Sequence, residues 1–309
     1  MWTYDTVEAA LDDVLRLSRA MTLKAAVADL PLGGGKGVIL IPPRMTLTSR
    51  QRRDALRDFA ETVDVLDGAY ITAEDVGTSS RDMIVVASGT SHVAGLPHSH
   101  GGSGDPSPWT ALGVQIAIET ACVRAFGTPS LADRTISIIG CGHVGGRIAK
   151  LCAKQGAKLV LADIDPAKRA LADELGARWM TPARALTAKV DVVAPCALGG
   201  MVSAEVVPRL RCAVVAGAAN NQLADEHVAA LLVNRDILWA PDFVANGGGI
   251  MNIVAEQEPD GYDVKVARAH IRGIARTLGE IFERSDATRA GTPLTAAIEL
   301  ARERLMPTG

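Results

Sequence analysis

Two lysines are the first residues of this chain whose type and position could serve chemistry. Lys24 and Lys36 are the only lysines before residue 150, a stretch that holds eleven arginines. Both lie in an apolar, glycine-rich segment, MTLKAAVADLPLGGGKGVIL. The pKa of a lysine falls when its ammonium group is desolvated, whereas arginine stays charged. The pattern favours a site that uses a lysine of lowered pKa, and chance placement is the alternative.

A dinucleotide-binding fingerprint lies in the middle of the chain. The GxGxxG motif follows the apolar run TISIIG and opens a predicted helix. Its first glycine permits a tight turn, the second lets the backbone approach a pyrophosphate, and the third lets the helix pack close to the strand. The N-terminus of the helix offers unpaired N–H groups to the phosphates. The predicted cofactor-binding loop comprises Gly140, Gly142, His143, Val144 and Gly145.

An acidic residue, Asp163, ends the next predicted strand, eighteen residues after Gly145. Its carboxylate is expected to accept hydrogen bonds from the hydroxyls of the adenosine ribose. The two residues that follow, Ile164 and Asp165, are not arginines, so a 2′-phosphate would meet two carboxylates. The pattern favours NAD over NADP. A Rossmann domain that binds another nucleotide, or none, is the alternative.

The order of the predicted elements indicates an α/β fold with two domains. Apolar strands that alternate with helices in the second half are typical of a doubly wound parallel sheet, and we place them at 135–140, 157–163, 190–194, 212–216 and 237–240. Further strands are predicted at 36–41 and 68–73, with helices at 5–23 and 49–64. We predict an N-terminal α/β substrate domain over 1–110, a Rossmann NAD-binding domain over 111–284, and a C-terminal helix within 285–309 that returns to the first domain.

Composition excludes several classes of protein. The 309 residues are 48% hydrophobic and 22% charged, unlike a disordered chain. No apolar run reaches the roughly 18 residues of a membrane span, and no signal peptide is evident. A net charge of −3 argues against a nucleic acid or a membrane as partner. Five cysteines without a CxxC pair favour a cytoplasmic, thiol-reduced protein, and no metal site is expected.

Several long motifs resemble those of the Glu/Leu/Phe/Val dehydrogenase family. They are MTLKAAVADLPLGGGKGVI, ITAEDVGT, GGSGDPSPWTALGV, IIGCGHVGG, DVVAPCALGG, VAGAANNQLAD and APDFVANGGGIMN. The resemblance implies an oxidoreductase that converts an L-amino acid to its 2-oxo acid and ammonia, reversibly, with NAD as cofactor. It also implies a homo-oligomer whose other partners are small molecules.

The resemblance implies a role for three charged residues of the first domain. Lys24 matches the family lysine that binds the substrate carboxylate, and Lys36 matches the catalytic lysine. Asp75 matches the carboxylate that exchanges protons with the substrate nitrogen; an N-cap for the following helix is the alternative for this residue. Held near Lys24 and partly desolvated, Lys36 is expected to have a lowered pKa and to activate water or stabilise a carbinolamine.

Other matched positions surround the cofactor and the substrate side chain. Cofactor-binding positions are Thr110, Ala194, Pro195, Cys196, Asn221 and Asn246, of which Asn221 also approaches the substrate. Cys196 is expected to contribute its backbone, and a left-handed turn is the alternative for Asn246. The substrate side chain is expected to contact Ala73, Ile250 and Ile253. The pocket residues favour branched-chain aliphatic substrates, with aromatic substrates as the alternative, because a methylene-sized difference discriminates by only about 1–3 kcal/mol.

The resemblance starts inside the first domain of the family, since MWTY resembles an internal segment. We therefore expect an incomplete first domain that lacks the N-terminal segment of the family, either because the start is assigned to an internal methionine or because the chain is naturally short. Two other functions stay open. One is a non-catalytic NAD-binding paralogue, and the other is a Rossmann oxidoreductase of the alanine or 2-hydroxy-acid dehydrogenase type.

Overall fold

The computed structural model describes residues 1–258, 261–287 and 291–306. They form two compact units. Unit 1 comprises Met1–Pro106 and Ile250–Ala267, and unit 2 comprises Ser107–Gly249 and Arg268–Gly309. This division differs from the predicted domains, because the segment around residues 250–267 belongs to the first unit and the C-terminal helix belongs to the second.

The N-terminal part of unit 1, Met1–Pro106, contains three α-helices and two short strands. The helices are α1 (Val7–Val27), α2 (Ser49–Val65) and α3 (Ser80–Ala87), and the strands are β1 (Trp2–Thr3) and β2 (Leu40–Ile41), which pair in parallel. Helices α2 and α3 each begin with a capping box, in which a hydroxyl and a carboxyl or amide side chain satisfy the free N–H groups of the first turn. They pack around a small apolar core of Leu56, Ala60, Met83 and Val86.

The predicted strands of unit 1 are longer than the observed ones. Of 36–41 only Leu40–Ile41 is a strand, and of 68–73 only Thr72 pairs, through a single bridge to Val93. An apolar, extended run becomes a strand only where a neighbouring strand completes the ladder of hydrogen bonds. Helix α1 is found where the periodicity predicts it, but Val7, Leu11 and Leu15 on its apolar face are exposed.

Unit 2 is built on a six-stranded parallel sheet. The sequence predicts the parallel sheet and five of its strands. Its strands are β3 (Thr135–Ile139), β4 (Lys158–Ala162), β5 (Arg178–Met180), β6 (Val192–Pro195), β7 (Val214–Val215) and β8 (Leu238–Trp239). The order across the sheet is β5-β4-β3-β6-β7-β8. This is the order of the doubly wound dinucleotide-binding fold, which confirms the predicted fold class. The edge strand β5 was not predicted, because its three residues form no apolar run.

Helices cover the sheet of unit 2. The helices of unit 2 are α4 (Ser107–Phe126), α5 (His143–Lys154), α6 (Arg169–Glu174), α7 (Pro182–Leu186), α8 (Val228–Val233), α9 (Asp242–Ala245), most of α11 (Val264–Ala287), and α12 (Pro293–Leu305), whereas most of α10 (Gly248–Val254) belongs to unit 1. Helices α4 and α5 pack against each other. Among the described helices, none has the length and apolarity that crossing a membrane would require.

Ion pairs attach the last helix to unit 2. The Arg284 guanidinium donates to both carboxylate oxygens of Glu303 at 2.8 Å, and Arg304 lies 3.5 Å from Glu280. These pairs join α11 to α12. The return of the C-terminal helix to the first domain stays a prediction.

An ion pair also joins α2 to α3 in unit 1. The Arg52 guanidinium donates to both oxygens of Asp82, at 2.9 and 2.7 Å, and the Ser79 hydroxyl and N–H donate to the same carboxylate. The Asp82 side chain is only 13% exposed, and the hydrogen bonds from Arg52 outweigh its burial and lower its pKa.

We expect Asp82→Asn to lower the free energy of unfolding by about 1–3 kcal/mol at neutral pH, the range for hydrogen bonds to a charged group. Because the folded state lowers the pKa of Asp82, its contribution is complete above the unfolded pKa and is lost as the pH falls through the folded pKa. In urea unfolding, the difference in stability between the two proteins should therefore begin to shrink below about pH 4 and disappear only below the lowered pKa of folded Asp82. Asp54→Asn, at a half-exposed carboxylate on α2, is the control and should change stability less. Equal effects of the two substitutions would contradict this account.

Candidate functional site

The glycine-rich segment before Lys36 lies against the backbone of α1. A Cβ on Gly34 would lie 2.3 Å from the Ser18 carbonyl oxygen and 2.3 Å from the Thr22 nitrogen, so only glycine fits. The Ser18 hydroxyl donates to the Gly34 carbonyl at 2.8 Å. Lys24 lies in the last turn of α1, two residues beyond Thr22. The same helix therefore carries Lys24 and supports the segment that carries Lys36.

Aromatic side chains cover the glycines on either side of Lys36. A Cβ on Gly35 would lie 2.6 Å from Cδ2 of Tyr70, and one on Gly37 would lie 3.1 Å from Cε2 of Phe59. The backbone around Lys36 is therefore closely packed, with no room for a side chain at Gly35 unless Tyr70 moves, and a tight fit at Gly37. The sequence predicts a strand over 68–73, and this pattern does not identify Tyr70 as part of the site.

Lys36 and Asp75, the two predicted catalytic residues, form an ion pair. The Lys36 Nζ donates to Oδ2 of Asp75, and the Val76 N–H donates to Oδ1 at 2.7 Å. Burial raises the pKa of Asp75, but the charge and hydrogen bond of Lys36 and the bond from Val76 outweigh it, and the pKa is lowered. The Lys36 side chain is 23% exposed and that of Asp75 is 53% exposed, so the carboxylate is open to a small molecule.

Asp75 does not cap the helix that follows. Helix α3 takes Ser79 as its N-cap, and Asp75 lies in a turn in which the Thr78 N–H donates to the Asp75 carbonyl at 2.8 Å. The alternative interpretation of Asp75 as an N-cap is therefore wrong. Its carboxylate serves no helix and remains directed at Lys36.

The predicted side-chain pocket residues lie on two segments of unit 1. Ile250 and Ile253 are one turn apart on α10 and are half-buried, while Met251 and Val254 between and beyond them are buried. Residues three apart share a helix face, so the two isoleucines form one apolar surface. Ala73 lies two residues before Asp75 and is half-buried. Their contact with a substrate side chain stays a prediction.

The dinucleotide fingerprint of unit 2 has the close packing that its glycines predict. Gly140 has φ 100°, and a Cβ there would lie 2.7 Å from the Ala197 nitrogen. A Cβ on Gly145 would lie 1.9 Å from the Gly140 carbonyl oxygen. No atom lies within 4 Å of the corresponding position on Gly142, which immediately precedes α5. The open backbone at the N-terminus of α5, where His143 and Val144 begin the helix, suits a pyrophosphate.

Asp163 follows the carboxyl end of β4 and is fixed by backbone groups. Its Oδ2 accepts from the Cys141 N–H at 2.6 Å, and Oδ1 accepts from the Asp165 N–H at 2.9 Å. The carboxylate therefore lies beside the glycine-rich turn, the position that binding of a ribose requires. The next residue, Ile164, is 90% exposed.

The neighbouring strand β6 ends beside the same turn. Ala194 and Pro195 are its last two residues, and the Cys196 N–H donates to the Ile139 carbonyl at 2.7 Å. Strands β3 and β6 flank the point at which the strand order reverses, where cofactors bind in folds of this kind. Desolvation raises the pKa of the Cys196 thiol to about 12, which fits a backbone role rather than a thiolate.

Two asparagines lie near the loop that follows β7. Asn246 has φ −89°, so its alternative interpretation as a left-handed turn residue is wrong, whereas Asn221 does adopt φ 51°. The Asn246 amide donates to the Ala218 carbonyl at 3.2 Å and to Asn220 Oδ1 at 2.8 Å. Its own Oδ1 is buried and accepts no hydrogen bond from the described residues. This acceptor is available to a bound cofactor or substrate.

Gln222 stabilises the same loop and was not identified from the sequence. Its side-chain Nε2 donates to the Gly217 carbonyl at 2.8 Å, and its backbone N–H donates to the Asp242 carboxylate at 2.7 Å. The indole N–H of Trp239 donates to its Oε1 at 3.2 Å. The side chain is fully buried. Nothing in the local pattern of AGAANNQLAD distinguishes this amide from its polar neighbours.

Thr110 lies in the first turn of α4, the helix that packs against α9. Its Cα is 3.4 Å from the position that a Cβ on Gly248 would take. The predicted cofactor residues of unit 2 thus lie on the turns after β3, β4, β6 and β7, at the end of α9, and where α4 approaches Gly248.

Comparison with known proteins identifies the family. Residues 4–92 match the model for "Glu/Leu/Phe/Val dehydrogenase, dimerisation domain", and residues 161–274 match that for "Glutamate/Leucine/Phenylalanine/Valine dehydrogenase". The chain is 41% identical to leucine dehydrogenase of Thermoactinomyces intermedius, over 99% of this chain and 82% of that protein. The chain belongs to the Glu/Leu/Phe/Val dehydrogenase family.

Other members of this dehydrogenase family are also similar. Phenylalanine dehydrogenase of Caldalkalibacillus thermarum is 36% identical, over 99% of this chain and 82% of that protein. The crystal structure of L-tryptophan dehydrogenase from Nostoc punctiforme has a TM-score of 0.82 and 35% identity, over 97% of this chain and 84% of that one. The expected enzyme class, an NAD-dependent amino-acid dehydrogenase, is confirmed at the level of the family.

A third family model concerns only the dinucleotide-binding part of this dehydrogenase. Residues 119–198 match "D-isomer specific 2-hydroxyacid dehydrogenase, NAD binding domain". This match confirms the expected cofactor, NAD, and reflects the Rossmann fold that both families share. The near-complete coverage by amino-acid dehydrogenases favours amine rather than hydroxy-acid chemistry.

We expect Gly34→Ala to lower kcat/KM for an amino acid by about 100-fold, because a displacement of about 1 Å near a reacting centre has effects of that size. The added methyl would meet the backbone of α1, and the segment that carries Lys36 would have to shift. NADH binding, which depends on unit 2, should be unchanged. Gly33→Ala is the matched control, since no atom lies within 4 Å of a Cβ there. Equal activity of the two variants would show that close packing on α1 does not position Lys36.

Proposed function

We propose that this chain oxidises branched-chain aliphatic L-amino acids to their 2-oxo acids and ammonia, reversibly, with NAD⁺. The observation that carries the proposal is the Lys36–Asp75 ion pair, fixed by the glycine-rich segment on α1. A positive charge that can bind or activate oxygen and a carboxylate that can exchange a proton with nitrogen suit this reaction. A 2-hydroxy-acid dehydrogenase would require a base for a hydroxyl group instead.

Three charged residues of unit 1, Lys24, Lys36 and Asp75, each have a defined task in the proposed reaction. Lys24 binds the substrate carboxylate as a charged donor. Asp75 accepts a proton from the substrate ammonium group, which frees the nitrogen lone pair for imine formation. Lys36 activates the water that adds to the imine carbon, and Asp75 returns a proton to the departing amine. NAD⁺, when bound, would supply the acceptor for the hydride that leaves the substrate α-carbon. The sum is amino acid, NAD⁺ and water to 2-oxo acid, ammonium, NADH and a proton.

The residues of unit 2 would hold the cofactor. Asp163 accepts from the ribose hydroxyls, and the backbone at Gly142 and the N-terminus of α5 bind the pyrophosphate. The turn at Pro195 and Cys196, together with Thr110, Asn221 and Asn246, borders the nicotinamide. The buried, unpartnered Oδ1 of Asn246 supports this assignment, since a buried acceptor costs free energy until a donor reaches it.

The pocket residues support an aliphatic substrate. Ile250 and Ile253 present a β-branched, half-buried surface on α10, and Ala73 adds a methyl group next to the segment of Asp75. The two isoleucines would narrow the pocket more than alanine would at their positions, and Ala73 would narrow it more than glycine would. The names of the relatives include leucine, phenylalanine and tryptophan dehydrogenases, so aromatic substrates are the alternative.

We also propose a homo-oligomer in the cytoplasm. The first family model is described as a dimerisation domain, and α1 exposes Val7, Leu11 and Leu15 in a single stripe. Each of the five cysteines is free, which suits a thiol-reducing compartment.

We expect Lys36→Ala and Asp75→Asn each to lower kcat by about 10²–10⁴-fold, the usual contribution of a general acid or base. NADH formation from L-leucine measures turnover, and NADH fluorescence titration measures cofactor binding, which should remain. Lys158→Ala is the control, because this exposed lysine begins β4 at the amino end of the sheet. Full turnover by Lys36→Ala would exclude the proposed chemistry. Binding of NADH without turnover by the parent chain would identify a non-catalytic paralogue.

We expect kcat/KM for L-leucine, L-valine or L-isoleucine to exceed that for L-phenylalanine by about 10-fold or more, the effect of a methylene-sized misfit. Ile253→Ala should reduce this preference by widening the pocket. Initial rates with the four amino acids at saturating NAD⁺ measure the ranking. Preference of the parent chain for L-phenylalanine would replace the aliphatic assignment with the aromatic one.

A further inference from the structure

Glu256 connects two distant segments of unit 1 through its carboxylate. It lies in the 3₁₀ turn Ala255–Gln257 that continues α10. The Gly95 nitrogen lies 3.0 Å from Oε1 and 3.1 Å from Oε2, and the Ser103 nitrogen lies 2.8 Å from Oε1. One side chain therefore binds two backbone N–H groups that lie 161 and 153 residues away along the chain.

The segment that Glu256 binds is itself attached to the residues before Asp75. The Thr72 N–H donates to the His92 carbonyl at 3.0 Å, and the Ala94 N–H donates to the Thr72 carbonyl at 2.8 Å. Gly95 has φ 74°, and a Cβ there would lie 3.8 Å from the Cβ of Ala73. The backbone at Gly95 thus packs directly beside Ala73.

The other end of the connection carries the two isoleucines. Ile253 is three residues before Glu256, and Ile250 is one turn earlier on α10. The Glu256 carboxylate therefore connects the segment of Ile250 and Ile253 to the segment of Ala73. All three are residues that the proposed function places around the substrate side chain.

We propose that Glu256 is a positioning residue that sets the width of the substrate side-chain pocket. It touches neither substrate nor cofactor; it fixes Gly95, and through Gly95 the position of Ala73, relative to α10. The inference rests on the proposed function, because it takes Ala73, Ile250 and Ile253 as the pocket. The Oε1 of Glu256 accepts from both the Gly95 and the Ser103 N–H groups, and Oε2 accepts from Gly95 as well.

Three substitutions of Glu256 distinguish the effect of where its carboxylate lies from the effect of its negative charge. Glu256→Ala removes every acceptor, and Glu256→Asp keeps the charge on a side chain that is one methylene shorter. Glu256→Gln loses the charge but keeps Oε1, the oxygen that accepts from both Gly95 and Ser103. Glu61→Ala is the control, an exposed glutamate on α2 of the same unit. The measurements are kcat and KM for L-leucine, L-valine and NAD⁺, and hydrogen–deuterium exchange of the peptide that contains Gly95 and Ser103.

We expect Glu256→Ala and Glu256→Asp to change the leucine-to-valine ratio of kcat/KM by about 10-fold, the size of a one-methylene misfit. The change should lie mainly in KM for the amino acid, with KM for NAD⁺ within about twofold of the parent, since unit 2 holds the cofactor. Exchange at Gly95 and Ser103 should rise by about 10-fold or more in both variants, because their N–H groups lose an acceptor. Glu256→Gln should stay close to the parent in both measurements.

Several results would overturn the proposal. An unchanged leucine-to-valine ratio in Glu256→Asp, with a lowered unfolding temperature, would leave Glu256 a purely structural role. A parent-like Glu256→Asp beside an altered Glu256→Gln would show that the charge acts and not the position. If the parent chain oxidises no aliphatic or aromatic amino acid, the proposed function fails and the pocket role fails with it. An active parent with an unchanged ratio in every variant refutes the role of Glu256 alone. If Glu256→Ala does not fold, the Asp and Gln variants decide the outcome.

Discussion

The reacting groups of unit 1 depend on how closely a glycine-rich segment approaches a helix. Gly34 lies so near the carbonyl of Ser18 and the amide of Thr22 that no side chain could be accommodated. This approach fixes the backbone two residues before Lys36, and the Tyr70 ring covers Gly35. The ammonium group then meets Asp75, whose turn is fixed by its own hydrogen bonds to Thr78. Catalysis by proton exchange needs such fixed positions, since reacting groups lose rate steeply with misplacement.

The same constraint organises unit 2. Gly145 lies against the Gly140 carbonyl, and Gly217 lies against Pro195, with a Cβ on Gly217 placed 2.2 Å from the Pro195 oxygen. Close backbone contacts at these glycines thus bring the ends of β3, β6 and β7 together at the point where the strand order reverses. Side chains add the final placement: Asp163 accepts from Cys141, and Gln222 binds the loop after β7. Both units therefore position their functional groups by close backbone contact that only glycine permits.

The sequence predicted the elements whose packing leaves a local pattern. Five strands of unit 2 were found because both of their faces are covered, which makes them continuously apolar, while the three residues of β5 left no such run. In unit 1 the runs around Lys36 and Thr72 were assigned as strands, yet pairing depends on neighbours that a local pattern does not reveal. The contacts that place the site residues were missed for the same reason. Ser18 and Glu256 act through hydrogen bonds to backbone groups 16 and 161 residues away, and Gln222 accepts from the Trp239 side chain 17 residues away; such contacts have no sequence period.

The choice of cation in unit 1 separates structural ion pairs from the reacting one. In unit 1, arginine provides the cation of the pairs Arg16–Asp13, Arg50–Asp54, Arg57–Asp54 and Arg52–Asp82, of which the last is the least exposed, whereas lysine faces Asp75. Arginine forms a planar fork that holds a carboxylate through two bonds and keeps its proton, so it suits a permanent link between α2 and α3. A lysine ammonium binds through a single point and can release a proton when its surroundings change. If the Lys36–Asp75 pair exchanges protons with a substrate, as the proposed function requires, its cation must be able to release a proton, which lysine can do and arginine cannot.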